Sequence, residues 1–363
     1  MGLYTTEGKI TFSITSKCNL DCIYCYSNKH SHKPQTLLLD FAKVGIDDFF
    51  DSSTSRRIRF FGSGEPTTEF QLLKDITLYC KEKAGDKLQA EIQTNGVFSD
   101  QIAAWIADNI STVYVSTDGE KFVQNYYRPS KGGKDTADIV SKNIKFLVKN
   151  GKGKLAVRST IGNANLYRQR ELLTYFSDLG VKYVWTRPIF PPPIGEQKGK
   201  DEIISLSEYA EEFVKAQSYA KELNIFLGSF MSCNFDVQHR HFCNASRPSP
   251  LLTTDGYVSS CDNVLFGENP GIYSVMIYGK WNPSEGKIIY DKSKIDRLRH
   301  RIVDNIDGCN GCEVKYNCGG FCIAELLECS GDMYGKKEGV CETIRLMAKH
   351  MPLNDGIYPC GHP

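Results

Sequence analysis

Cys18, Cys22 and Cys25 stand at C-x3-C-x2-C spacing, directly after a β-like run, Lys9-Ile10-Thr11-Phe12-Ser13-Ile14. A tight loop can turn three such thiolates onto one small metal centre. Soft thiolates select zinc, Cu(I) or iron–sulfur clusters. Three of them under-fill both a closed zinc site and an ordinary four-cysteine cluster. A [4Fe–4S] cluster held by three leaves one iron open to a substrate or cofactor. A second set lies far downstream as Cys309-x2-Cys312-x5-Cys318-x3-Cys322, followed by Cys341 and preceded by Cys243 and Cys261. Taken alone, that spacing also suits a zinc knuckle.

Other residues with chemical potential are spread along the chain. Gly62-Ser63-Gly64-Glu65-Pro66 offers small residues that permit close backbone approach to a ligand, and Glu65 could accept a hydrogen bond from an ammonium group. Ser116-Thr117-Asp118-Gly119 ends a strand-like run, and Arg128 lies twelve residues beyond Ser116. Asp262 directly follows Cys261 and could act as a base, orient a peptide or cap a turn. Cys80 falls in a helical pattern and reads as a small packing residue. Cys329 and Cys360 belong to neither set.

The elements that must carry these residues alternate. Strand patterns at 9–14, 56–61, 88–94, 112–116, 155–161 and 183–188 are separated by helical ones, among them 71–83, 100–109, 135–150 and 166–179. Such alternation implies parallel strands with helical crossovers. Six units fit a partial (β/α)6, TIM-like barrel, with a doubly wound sheet as the alternative. The barrel is favoured because Cys18–Cys25, Gly62–Pro66, Thr94–Gly96 and Ser116–Gly119 each follow the C-terminal end of a strand, where α/β folds build their sites. Three segments are expected: a barrel over 1–200, a helical bridge over 201–232 and a small Cys-rich domain over 233–363 organised around metals. A net charge of +1 gives no reason to expect nucleic acid, and no apolar run approaches the ~20 residues that span a bilayer. The N-terminus lacks the apolar core of a signal peptide, so fourteen cysteines point to a reducing, cytoplasmic setting and to metal ligation.

The triplet and the motifs after it resemble the radical SAM (S-adenosylmethionine) superfamily, in which the open iron holds the amino and carboxylate groups of SAM. The resemblance implies that Cys18, Cys22 and Cys25 hold the SAM cluster. It sets Gly62, Gly64 and Glu65 at the methionine end of SAM, Ser116 and Arg128 at its ribose and carboxylate, and Tyr24 over the cluster or adenine. The downstream cysteines resemble a SPASM domain, which carries two auxiliary [4Fe–4S] clusters. By that resemblance Cys309, Cys312, Cys318 and Cys341 hold the outer cluster. Cys243, Cys261 and Cys322 hold the inner one, with Cys233 as candidate fourth ligand. Asp262 matches the proposed base of anaerobic sulfatase-maturing enzymes.

The activity so implied is reductive cleavage of SAM to a 5′-deoxyadenosyl radical, which removes a hydrogen atom from a peptide. Installing a thioether, ether or carbon–carbon crosslink in a ribosomally made peptide is the first expectation. Oxidising Cys or Ser of a sulfatase to formylglycine is the second. A flavodoxin or ferredoxin would supply electrons. Only 17 residues precede Cys18, so leader recognition is expected to fall to a separate protein or another surface.

Overall fold

A computed structural model describes residues 4, 8–25, 34–190, 199–232, 235, 238–337 and 339–351. In chain order the strands are β1 (Ile10–Ser13), β2 (Arg57–Phe61), β3 (Gln89–Thr94), β4 (Thr112–Ser116), β5 (Lys154–Ile161), β6 (Tyr183–Pro188), β7 (Phe226–Ser229), β8 (Leu251–Leu252), β9 (Tyr257–Ser259), β10 (Ile277–Asn282) and β11 (Lys287–Tyr290). The helices are α1 (Leu39–Ser52), α2 (Phe70–Ala84), α3 (Asp100–Asn109), α4 (Lys121–Tyr127), α5 (Ala137–Asn150), α6 (Gln169–Asp178), α7 (Leu206–Glu222), α8 (Lys292–His300), α9 (Lys315–Cys318), α10 (Ile323–Ser330) and α11 (Val340–His350). All six expected strands form within a residue or two of their sequence bounds.

The chain divides into two compact units. One comprises 1–18, 32–93 and 240–336; the other comprises 19–31, 94–239 and 337–363. In the first, β1 pairs parallel with β2 and with β8, and β2 pairs parallel with β3. From β8 the pairing turns antiparallel through β9, β10 and β11. The side chains of β1 and β2 alternate. Ile10, Phe12, Ile58 and Phe60 are sealed in the core. The opposite face carries Thr11 and Ser13 on β1 and Arg57 and Arg59 on β2. Helix α1 turns Phe41, Ala42, Ile46 and Phe49 inward, and α2 turns Leu73, Ile76, Thr77 and Cys80, at the three-and-four spacing of a buried helical stripe. Cys80 is thus core packing, and burial pushes its thiol up to about 12.

In the second unit β4, β5, β6 and β7 run parallel in sequence order. The segment expected as a helical bridge over 201–232 contains α7, with Ser205 as its N-cap. This helix leads directly into β7, so it continues the βα alternation. Tyr209 ties it down: its hydroxyl lies 2.7 Å from both Thr186 Oγ1 on β6 and Ser229 Oγ on β7. Pro191–Gly195, whose three prolines and glycine break the strand-and-helix pattern near the end of the expected barrel, lies outside the described residues. Among the described residues no helix is long and apolar enough to cross a membrane.

Candidate active site

The cysteine loop is fastened first by its leading residues. In the first unit Gly64 N donates to Thr15 O at 2.9 Å, and Glu65 N donates to Lys17 O at 2.8 Å. A Cβ on Gly64 would lie 2.0 Å from Lys17 O, and one on Gly62 would lie 2.7 Å from Ser13 Oγ. Gly62 also sits at φ +157°. These glycines therefore let two strand ends interlock beside Cys18. The Glu65 carboxylate is buried, and its Oε1 accepts from Thr67 N at 3.1 Å and Thr67 Oγ1 at 2.8 Å. It caps the short turn Pro66–Glu69.

The loop's later residues belong to the second unit. Asp21 N donates to Pro129 O at 2.9 Å and Ile23 N to Tyr127 O at 3.1 Å, while Lys131 N donates to Asn19 O at 2.9 Å. Asn95, after β3, donates its amide to Asn19 Oδ1 at 2.7 Å. The segment bearing Cys22 and Cys25 is thereby pinned along 127–131, which contains Arg128.

Tyr24 lies in a charged chain that the sequence did not reveal. Its hydroxyl donates to Asp118 Oδ2 at 2.5 Å and accepts from Arg128 Nη1 at 2.6 Å. Asp118 also accepts from Thr160 N at 2.8 Å. Burial pushes the Asp118 carboxyl up, with Arg128 pulling the other way. For Arg128 burial opposes the charge, but the Cys22 thiol, Tyr24 and Asp118 outweigh it and raise its pKa. Arg128 Nε is buried with no hydrogen-bond partner among the described residues. Buried donors are normally satisfied. An oxygen-bearing ligand such as SAM fits that vacant donor. Ser116 is half-buried at the end of β4, in register with Arg158.

Most of the downstream cysteines fall in the first unit. Cys261 follows the end of β9 by two residues, Cys318 closes α9, and Cys322 is the N-cap of α10. Burial pushes the Cys261 thiol up, and Cys322 and Cys243 beside it add to the effect. Thiols gathered in this way, one buried and two half-buried, suit a cluster, whose binding displaces their protons. Among the described residues no three or more Cys, His, Asp or Glu side chains are arranged to hold a single metal ion. A cubane spreads its thiolates over separate irons, one each. Cys309 and Cys312 are linked by a backbone bond, Cys312 N to Cys309 O at 3.2 Å. Cys341 lies in the first turn of α11 and belongs to the second unit. Cys233 and Cys360 lie outside the described residues, and Cys329 is exposed on α10.

Asp262 is in an ion pair. Its Oδ1 accepts from Nη2 of Arg59, a side chain only 5% exposed on β2. Arg59 is anchored in turn by Nε to Thr11 Oγ1 at 3.3 Å and lies 5.0 Å from the Phe61 ring centroid. Arg59 went unassigned from sequence. The available signal was the period-two placing of charge in Arg57-Ile58-Arg59-Phe60, which a fully buried parallel strand does not show.

The family model for the radical SAM superfamily matches residues 12–175. An uncharacterized protein of Methanocaldococcus jannaschii is 30% identical over 210 residues, 57% of this chain and 68% of the relative. The radical SAM cyclopropyl synthase TigE of Paramaledivibacter caminithermalis is 20% identical over 94% of this chain and 73% of its own length. Among solved structures, anSMEcpe with bound AdoMet superposes with a TM-score of 0.74 at 17% identity, covering 94% of this chain and 92% of that one. Streptococcus suis SuiB bound to its precursor peptide SuiA superposes with a TM-score of 0.66 at 17% identity, covering 92% and 75%. The chain belongs to the radical SAM superfamily and is a radical SAM enzyme. Membership implies a [4Fe–4S] cluster and SAM. Its α/β architecture is the radical SAM fold shared with anSMEcpe and SuiB.

Proposed function

We propose that this enzyme modifies a peptide, with Cys18, Cys22 and Cys25 holding the SAM cluster and two auxiliary clusters downstream. When bound, the cluster and SAM supply a hydrogen-abstracting radical. The chain's own task is to hold SAM, present the peptide and exclude water. In this reading Arg128 offers its vacant Nε to SAM, Tyr24 and Asp118 fix that guanidinium, and Ser116 borders the same strand ends. Gly62, Gly64 and Glu65 set the shape of the loop that carries Cys18.

The observation that carries the auxiliary-cluster reading is the gathering of Cys243, Cys261 and Cys322 within one unit, beside Asp262. Cys309, Cys312, Cys318 and Cys341 would complete the outer set, and Cys233 the inner one. The bond-forming outcome, a crosslink or ring closure in a small peptide, is supported by the similarity to TigE along nearly the whole chain. The alternative is formylglycine formation, for which Asp262 would serve as base. Against it stands the pairing of Asp262 Oδ1 with Arg59.

Anaerobic reconstitution followed by iron analysis and reaction with dithionite and SAM tests the whole reading. About twelve irons per chain are expected; about four would remove the auxiliary clusters. Absence of 5′-deoxyadenosine would refute the enzyme reading. Mass spectrometry of short peptides encoded beside the gene should show loss of two hydrogens. Exchange of a cysteine thiol for an aldehyde oxygen in a sulfatase peptide would establish the alternative.

A further inference from the structure

Arg301, just beyond α8, is fully sealed from solvent. Its guanidinium donates only to backbone carbonyls: Nε to Met333 O at 3.0 Å, Nη1 to Gly319 O at 3.2 Å and Nη2 to Gly320 O at 2.5 Å. No carboxylate pairs with it among the described residues. The ionisable groups that act on it most strongly are four thiols, those of Cys243, Cys309, Cys318 and Cys322. Carbonyl dipoles satisfy its N–H groups but do not neutralise its charge, and a buried cation needs an anion.

The backbone around it is shaped to the guanidinium. Gly319 and Gly320 lie in the spacer between Cys318 and Cys322, at φ +67° and +85°, and Phe321 follows at +61°. A Cβ on Gly320 would lie 2.7 Å from Arg301 Nη1. Phe321 is held against Phe242, ring centroids 5.3 Å apart. The spacer thus wraps the arginine, and its two ends are cysteines assigned to different clusters.

The geometry points to Arg301 as the fixed counter-charge of the auxiliary iron–sulfur centres, one cation facing thiolates of the inner set (Cys243, Cys322) and the outer set (Cys309, Cys318). This rests on the auxiliary-cluster reading above. A cation fixed beside a cluster favours its electron-rich state, so Arg301 raises the reduction potential of the centres it faces.

The test is a potentiometric titration, followed by electron paramagnetic resonance, on the full-length chain with Cys18, Cys22 and Cys25 changed to alanine. Only auxiliary iron is then read. Arg301→Gln should keep about eight irons. It should shift the reduction equilibrium of at least one centre tenfold toward the oxidised form, about 59 mV for one electron. Arg301→Lys, which keeps the charge, should stay near the parent value. About eight irons with unchanged potentials in Arg301→Gln would overturn the proposal while leaving the clusters established. If Arg301→Gln loses its iron, Arg301→Lys must restore it; failure of both would make the residue a carbonyl clamp and refute the counter-charge. Fewer than four irons in the parent would instead sink the auxiliary-cluster reading itself.

Discussion

Glu91→Gln is expected to cost about 3 kcal/mol at neutral pH, and the cost should fall as the solution is acidified. Glu91 is buried on β3, with Oε2 2.8 Å from Lys9 Nζ and Oε1 2.7 Å from Arg57 Nη2. Burial alone would raise its pKa, yet Lys9 and Arg57 outweigh burial and hold the carboxyl at about 2. Lys9 points the other way: burial overrides Glu91 and draws it down to about 8. The carboxylate's direction is the firmer of the two, because two cations face it at hydrogen-bond distance. A folded pKa below the unfolded value gives stability that is complete above about 4.5 and lost as pH falls toward 2. Two and a half pH units correspond to about 3.4 kcal/mol at pH 7, within the ~3–5 kcal/mol typical of breaking a buried pair. At pH 3 the same linkage leaves about 1.4 kcal/mol, since ionising the folded carboxylate is then favoured over the protonated unfolded carboxyl by only about one pH unit. Urea midpoints of the iron-free parent and variant, followed by circular dichroism at pH 7 and pH 3, measure both values. A difference below about 1 kcal/mol at pH 7, or one equal at the two pH values, would refute the argument.

Gly64→Ala forces a methyl against Lys17 O, so reconstituted SAM-cluster iron and 5′-deoxyadenosine yield should drop together while auxiliary iron is retained. Tyr24→Phe removes two hydrogen bonds to charged groups, each worth about 1.5–3 kcal/mol; the KM for SAM should rise at least tenfold at unchanged iron content, and an unchanged KM would show that Arg128 needs no strut. Asp262→Asn retains an acceptor for Arg59 but no basic carboxylate. Peptide modification should stay within about tenfold of the parent rate, whereas a loss of ~10²–10⁴ would reveal a proton-accepting role.

The strands were legible because they depend on local spacing. Thr112–Ser116 and Asp100–Asn109 form as the pattern requires, and Cys80 packs as its helical position implies. What escaped depends on partners far off in sequence. Asp118 stood inside a recognised turn, but nothing local tells that Tyr24, 94 residues earlier, reaches it. Arg301 ends the basic run Arg297-Leu298-Arg299-His300, which reads as a solvated helix terminus complementing the dipole, yet it is the most deeply sealed cation of the described residues. That Gly62 and Gly64 admit the neighbouring strand end beside Cys18 is likewise set by residues far off in sequence.

Those glycine contacts bear on how the triplet is held. Glycines serving ligand approach alone would leave the cysteine loop independent of β2, and their replacement would change only SAM binding. Here the Gly64 and Glu65 amides bond to Thr15 and Lys17 carbonyls, so the strand end after β2 is itself the support of the residue preceding Cys18. The later half of the loop is pinned separately, through Asn19, Asp21 and Ile23 against 127–131. Arg128 lies within that pinning segment and Tyr24 within the pinned one, so their 2.6 Å bond joins a proposed SAM contact to the cluster loop. Losing that side-chain bond should therefore weaken cofactor binding, while the backbone bonds to 127–131 keep the cluster loop in place.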